Sequence, residues 1–344
     1  MPLATPLFRI ARFFLFLLPA ELSHTLGLQG LRLLARCGVL RLLRPAVPAC
    51  PVQVFGLQFP NPVGLAAGLD KNADYLDALG ELGFGFIEVG TVTPRPQPGN
   101  PQPRLFRLAS AQAIINRMGF NNKGVAHLVA RLRARRFPGI VGVNIGKNLT
   151  TAVEDAEQDY LYCLRAVYPV ADYVVVNLSS PNTPGLRTLQ FGEQLASLLA
   201  ILTQEREQLQ AKYGRRVPLL VKIAPDLAGE EIDAVAATFR RFPLDGVIAT
   251  NTTLARSGVE GAHAAEAGGL SGAPLSQAAT EVLARLHQAL AGSMPIIGVG
   301  GIMQGTDAAA KQAAGASLVQ LYSGFIYQGP ALIRAAVLAW QKSK

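Results

Sequence analysis

A chain of 344 residues, half of them hydrophobic and only 16% charged, can form one large α/β domain or two smaller ones. Its net charge of +9 is concentrated, because residues 1–50 hold Arg9, Arg12, Arg32, Arg36, Arg41 and Arg44 against Glu21 alone. A basic, apolar start with no aromatic-interleaved basic run favours anionic lipid and argues against nucleic acid. Cys37, Cys50 and Cys163 form no CxxC pair and suggest neither a disulfide framework nor a zinc site.

Residues 7–18 read LFRIARFFLFLL, about a dozen positions interrupted by Arg9 and Arg12. That is well short of the ~20 apolar residues a spanning helix needs. The following PAELSH is no small-residue cleavage site. A second amphipathic stretch, 25–43, carries leucines among arginines until Pro45 and Pro48 break it. Two basic amphipathic helices in a hairpin would lie in a membrane interface without crossing it. The plainer alternative is a helical cap packed on the main domain.

From residue 52 onward, short apolar runs alternate with segments of helical period. The predicted strands are 63–67, 86–89, 140–145, 173–178, 218–223, 246–250, 295–299 and 317–321. Between and after them lie predicted helices at 73–82, 125–136, 152–168, 193–210, 230–239, 276–289, 306–314 and 330–341. This pattern predicts an α/β fold: a (β/α)8 TIM barrel over residues 51–344 with a small N-terminal helical extension over 1–50. A doubly wound sheet fits less well. No GxGxxG follows the first strand, and GVGG near Gly300 lacks the third glycine.

Barrel enzymes carry their sites at the C-terminal ends of the strands. In order, those ends offer Ala67, Gly68 and Lys71; Gly90 and Thr91; Asn144 and Lys147; then Asn177 with the loop SSPNTPG. The later four offer Lys222; Thr250, Asn251 and Thr252; Gly300 and Gly301; and Tyr322, Ser323 and Gly324. Glycine turns at the last two strands, each ahead of a helix, predict a phosphate cradle. No paired carboxylates, metal-ligand cluster or Ser-His-Asp pattern falls at this mouth, and His24, His127, His263 and His287 are expected on solvated faces. A neutral, amide-rich pocket with lysines and a phosphate cradle suits a flavin or a phosphorylated substrate. A Schiff-base aldolase using Lys222 is the competing enzyme reading, and a lipid-binding module with an inactive barrel is the competing reading of another class.

These segments resemble the dihydroorotate dehydrogenases, specifically their membrane-associated, quinone-using class. The resemblance runs from about residue 52 to the C-terminus through NPVGLAAGLDKN (61–72), EVGTVTPRPQPGNPQPRLFRL (88–108), INRMGFNN (115–122), VNLSSPNTPGLR (176–187) and GVGGI (298–302). It implies oxidation of dihydroorotate to orotate in pyrimidine biosynthesis, with one non-covalent FMN per subunit and a ubiquinone or menaquinone as acceptor. It carries FMN binding to Ala67, Gly68, Lys71, Thr91, Asn144, Asn177, Lys222, Thr250, Gly272, Gly301, Tyr322 and Ser323. Substrate binding falls on Lys71, Asn116, Arg117, Met118, Gly119, Phe120, Asn177, Asn182, Asn251 and Thr252. The family's base in this class is a serine, here Ser180, relayed through Thr183 and a water and capped by Phe120, with a hydride passing to the flavin. Ser179, by strand alternation, should point the other way. The resemblance also implies quinone entry between the N-terminal helices, with His24, Arg107 and Tyr322 at its inner end. No metal is expected, and the expected state is a monomer bound peripherally to the cytoplasmic face of a bacterial inner membrane, or alternatively to a mitochondrial inner membrane.

Overall fold

The computed structural model describes residues 4–343; residues 1–3 and 344, at the outer ends of the two predicted segments, lie outside the described residues. Three helices come first: α1 (Ala4–Phe16), α2 (Ala20–Arg36) and α3 (Val39–Leu43). A hairpin of β1 (Val52–Val54) and β2 (Leu57–Phe59) leads into β3 (Val63–Leu65) and α4 (Leu76–Gly80). Then come β4 (Phe86–Val92), β5 (Leu105–Leu108), β6 (Ala113–Asn116) and α5 (Val125–Arg133). They are followed by β7 (Ile140–Ile145), α6 (Ala156–Val167), β8 (Tyr173–Asn177) and α7 (Gly192–Tyr213). Next are β9 (Leu219–Ile223), α8 (Gly229–Phe239), β10 (Gly246–Ala249), β11 (Gly269–Gly272) and α9 (Ser276–Leu290). The chain closes with β12 (Ile296–Val299), α10 (Gly305–Ala313), β13 (Ala316–Leu321), α11 (Ser323–Gln328) and α12 (Ala331–Lys342).

Eight parallel strands, β3-β4-β7-β8-β9-β10-β12-β13, close into a barrel, and they are the eight that the apolar runs predicted. Both faces of such strands are covered, which is why IVGVNI and YVVVN read as continuous apolar runs. Helices pack outside through one stripe; α9 buries Ala279, Val282, Leu283, Leu286 and Leu290 at three- and four-residue steps. Inside, Phe86 and Tyr173 meet Phe59 and Val54 of the β1–β2 hairpin, which plugs the end of the barrel. Room for these rings comes from Gly64 and Gly142, where an added Cβ would sit 2.4 Å from the Phe86 ring and 2.0 Å from the Tyr173 ring.

Two small sheets were absent from the sequence reading. One is the plugging hairpin. The other joins β5, β6 and β11 antiparallel and pairs Ala113 with Gly272 and Asn116 with Gly269. The predicted helix at 25–43 also needs correction. Pro19 ends no helix but opens α2, which therefore includes Glu21 and His24, and Gly38 in the left-handed region (φ 72°) separates α2 from α3.

The N-terminal helices pack on the barrel through one side and expose apolar side chains on the other. Leu28 and Leu40 are buried in the same core as the barrel helices, while Leu7, Ile10, Phe13 and Phe14 of α1, Leu17 just after it, and Leu22, Leu26, Leu33 and Leu34 of α2 are exposed. No helix among the described residues is long and apolar enough to cross a membrane.

Candidate active site

A cavity with an empty volume of about 1000 Å³, its open rim included, lies at the C-terminal ends of the barrel strands. Its walls gather most of the predicted residues from distant parts of the chain. Ala67, Gly68, Lys71 and Thr91 come from the first two strand ends, and Asn177, Ser180 and Asn182 from the fourth. Lys222, Thr250, Asn251 and Thr252 follow, and Gly301, Tyr322 and Ser323 close the circle. The small sheet contributes Asn116 and Gly272, and Met118, Gly119 and Phe120 continue from it. No aspartate, glutamate, histidine or cysteine is among the lining residues.

The floor is a lattice of amides. Asn177 Nδ2 donates to Thr91 Oγ1 (2.9 Å) and Asn144 Oδ1 (3.1 Å), while its Oδ1 accepts from Ser179 and from Asn251 Nδ2 (3.4 Å). Asn144 lies one layer down. It does not line the cavity, and its Nδ2 donates to the fully buried Glu88 (2.8 Å). Glu88 also takes Gln320 Nε2 (2.6 Å) and the Tyr173 hydroxyl (3.4 Å). This arrangement leaves Gln320 Oε1, at the cavity wall, buried without a partner. Lys222 has its proton affinity lowered by burial, against which the Glu88 charge acts. Glu88 and Gln320 are absent from the sequence prediction because they lie within β4 and β13 and not in the loops that follow the strands.

The loop after β8 separates its two serines as expected. Ser179 is fully buried, bonded to Asn177 Oδ1 and receiving Asn251 Nδ2 (3.0 Å), whereas Ser180 lines the cavity. Ser180 Oγ accepts the backbone N–H of Asn182 (3.2 Å). Asn182 Nδ2 in turn donates to the Asn116 carbonyl (3.1 Å), tying this loop to β6. Arg187 Nε donates to the Ser179 carbonyl (3.1 Å), and its Nη1 pairs with Asp226 (2.8 Å). Thr183 is buried but does not line the cavity. Arg117 turns its guanidinium away from the mouth, onto Glu266 (2.6 Å) and the Pro103 carbonyl (2.9 Å), so only its backbone belongs to the predicted substrate strip.

At the glycine cradle, Gly301 has φ 72°, and a Cβ there would lie 2.2 Å from Ser276 Cα, so no side chain fits. Ser323 opens α11 beside it, and Ser271 Oγ lies 2.7 Å from Ser323 Oγ.

Of the three residues placed at the acceptor end, only Tyr322 lines the cavity; burial pushes its phenol up to about 12. His24 is half-buried on α2, not solvated as expected; burial and the neighbouring Lys71 hold its imidazole down at about 4. Arg107 stacks on the Phe16 ring (4.5 Å) and donates to the carbonyls of Leu15 and Leu18 at the α1–α2 turn. Lys71 is brought down to about 8, first by burial and then by Arg104, with Glu21 and Asp70 acting in the opposite direction.

The fold and this mouth define a (β/α)8 barrel with a polar, amide-rich cavity at the C-terminal ends of its strands. A sequence profile described as dihydroorotate dehydrogenase matches residues 50–337. The chain is 62% identical over 323 residues to the dihydroorotate dehydrogenase (quinone) of Cellvibrio japonicus, covering 94% of each. It is 60% identical over 332 residues to that of Pseudomonas aeruginosa PAO1, covering 96% of this chain and 97% of the relative. Among solved structures, the Eimeria tenella dihydroorotate dehydrogenase in complex with ferulenol matches with a TM-score of 0.84 at 40% identity, covering 93% of this chain and 90% of that one. The ligand-free form from the same organism gives 0.83 at 41% identity, covering 91% and 93%. The chain belongs to the dihydroorotate dehydrogenase family, whose members use a flavin.

Proposed function

We propose that this mouth carries out the reaction of the quinone-dependent dihydroorotate dehydrogenases, among which the chain belongs, with Ser180 as the base and FMN as the flavin. The observation that carries the residue roles is one shared cavity. It brings Ser180, Asn182 and Phe120 together with two lysines and a glycine cradle, and no acid or thiol is among its lining residues.

The residues fit FMN. Gln320 Oε1 is an unpartnered buried acceptor suited to a ring N–H, and the Gly301 turn leaves backbone exposed where a phosphate would sit. Lys222 would place a positive charge beside the ring, the usual way a protein favours a reduced, anionic flavin. A flavin held by these residues would supply the hydride acceptor.

Ser180 takes the proton from the neighbouring carbon. The N–H of Asn182 on its Oγ stabilises the oxygen as its own proton leaves. Thr183, buried three positions on, is the next hydroxyl of the relay. Phe120 is 8% exposed and packs where Gly146 leaves space, covering the mouth from bulk water. Asn182 and Asn251 present amides to a dihydropyrimidine ring, and Lys71 faces its carboxylate. The exposed apolar and arginine-rich faces of α1 and α2 rest on the membrane and admit the quinone, with His24, Arg107 and Tyr322 along its path.

Ser180→Ala is the direct test. Anaerobic reduction of the bound flavin by dihydroorotate at pH 7 should slow by at least ~100-fold, with the flavin fully retained. A variant reduced at near wild-type rate would remove Ser180 from the base role.

A further inference from the structure

Glu21 is the only acidic residue among the first fifty, against six arginines, and it is committed to the barrel. It stands in the first turn of α2, where its carboxylate takes Arg104 Nη2 (2.6 Å) and Nε (3.1 and 3.2 Å). Arg104 is 7% exposed, and its other arm, Nη1, donates to the carbonyls of Pro98 (2.6 Å) and Asn100 (2.9 Å). A guanidinium has a planar, rigid fork, so one side chain fixes α2 and the 98–100 turn relative to each other.

That turn reaches the predicted substrate strip directly. The Asn100 N–H donates to the Met118 carbonyl (3.1 Å), and the Arg117 N–H donates to the Arg104 carbonyl (2.9 Å). Asn100 Nδ2 donates to the carbonyls of Arg117 (2.9 Å) and Asn182 (3.4 Å). Asn182 then holds Ser180 through its own N–H. Arg107, in the strand that follows this segment, donates from its guanidinium to Leu15, Leu18 and Ser23 of the N-terminal segment.

We propose that Glu21 and Arg104 are a positioning pair that couples the seat of α2 to the substrate strip and the Ser180 loop. The helices assigned to the electron acceptor thereby also set the affinity for dihydroorotate. The inference rests on reading residues 116–120 as part of the substrate site. Lys71, at the same mouth, responds electrostatically to both members of the pair.

The test uses the full-length, flavin-loaded enzyme in detergent without quinone. In Glu21→Gln, the dihydroorotate Kd from anaerobic stopped-flow flavin reduction should rise about tenfold, as loss of a buried charge-assisted contact implies. The limiting rate should change less than about threefold, and Glu21→Asp should recover part of the affinity. An unchanged Kd, or a defect confined to flavin reoxidation by quinone, would overturn the coupling. The unmutated enzyme supplies a second reading. Orotate should slow hydrogen exchange in α2 by linkage, although α2 contributes no residue to the cavity lining. Absence of that protection overturns the proposal even if the variant does not fold. A wild-type flavin that dihydroorotate fails to reduce would count against the assigned activity and not against the pair.

Discussion

The barrel mouth and the N-terminal helices specify their chemistry in different ways. At the mouth, Asn144, Asn177 and Glu88 are buried to 4% exposure or less, and each makes several bonds to named partners. On α1, Phe13 and Phe14 are exposed at 62% and 61%. The mouth works by position, so one displaced atom matters there. The membrane role proposed for the helices rests on composition, and many apolar sequences would present an equivalent face to lipid. Glu21 and Arg104 are where the positional logic of the barrel reaches into the compositional one.

The largest effect that would sharpen this contrast is expected at the cradle. Gly301→Ala places a Cβ against Ser276 in a left-handed turn and should weaken FMN binding by roughly a hundredfold, from strain and displacement together. Flavin fluorescence on dilution measures this, and full retention would mean that the turn is not a phosphate site. On the helices, a double change of Phe13→Ser and Phe14→Ser should lower partitioning onto anionic vesicles by ~10–100-fold, given the usual free energy of burying an aromatic side chain. Flavin reduction by dihydroorotate should be untouched. Undiminished vesicle sedimentation would break the compositional reading.

The smallest effect concerns pH. Lys71, held near 8 in the unliganded enzyme, is cationic below that pH and neutral above it, so attraction for a carboxylate is lost as pH rises. The orotate Kd of the oxidised enzyme should therefore rise about fivefold between pH 8 and pH 9. A flat profile from pH 7 to 10 would remove Lys71 as the carboxylate's partner.

The barrel was legible because eight buried strands leave apolar runs that only their turns interrupt. The mouth was legible because its residues sit where those runs stop. What escaped has physical reasons. The four-residue strands β6 and β11 lie about 150 positions apart and have no periodicity long enough to register. The predicted second helix starts at residue 25, although proline is well tolerated at a helix start, so Glu21 and His24 fall outside it instead of on α2. Arg117 sits within the right motif, but only the fold shows that Glu266 draws its side chain away. Gln320 gave no signal, since its importance depends on which of its two amide atoms Glu88 occupies.

The absence of cysteine from the cavity lining also bears on how such a protein ages. A flavin that meets oxygen generates peroxide next to the residues around it, and thiolates are the side chains peroxide attacks first. Cys50 and Cys163 are buried and Cys37 lies on the surface of the helical unit, none of them at the cavity wall. Met118 is the single sulfur among the lining residues, and its oxidation is the reversible kind. The base proposed here, a hydroxyl and not a thiol, would resist the oxidant that a bound flavin can release.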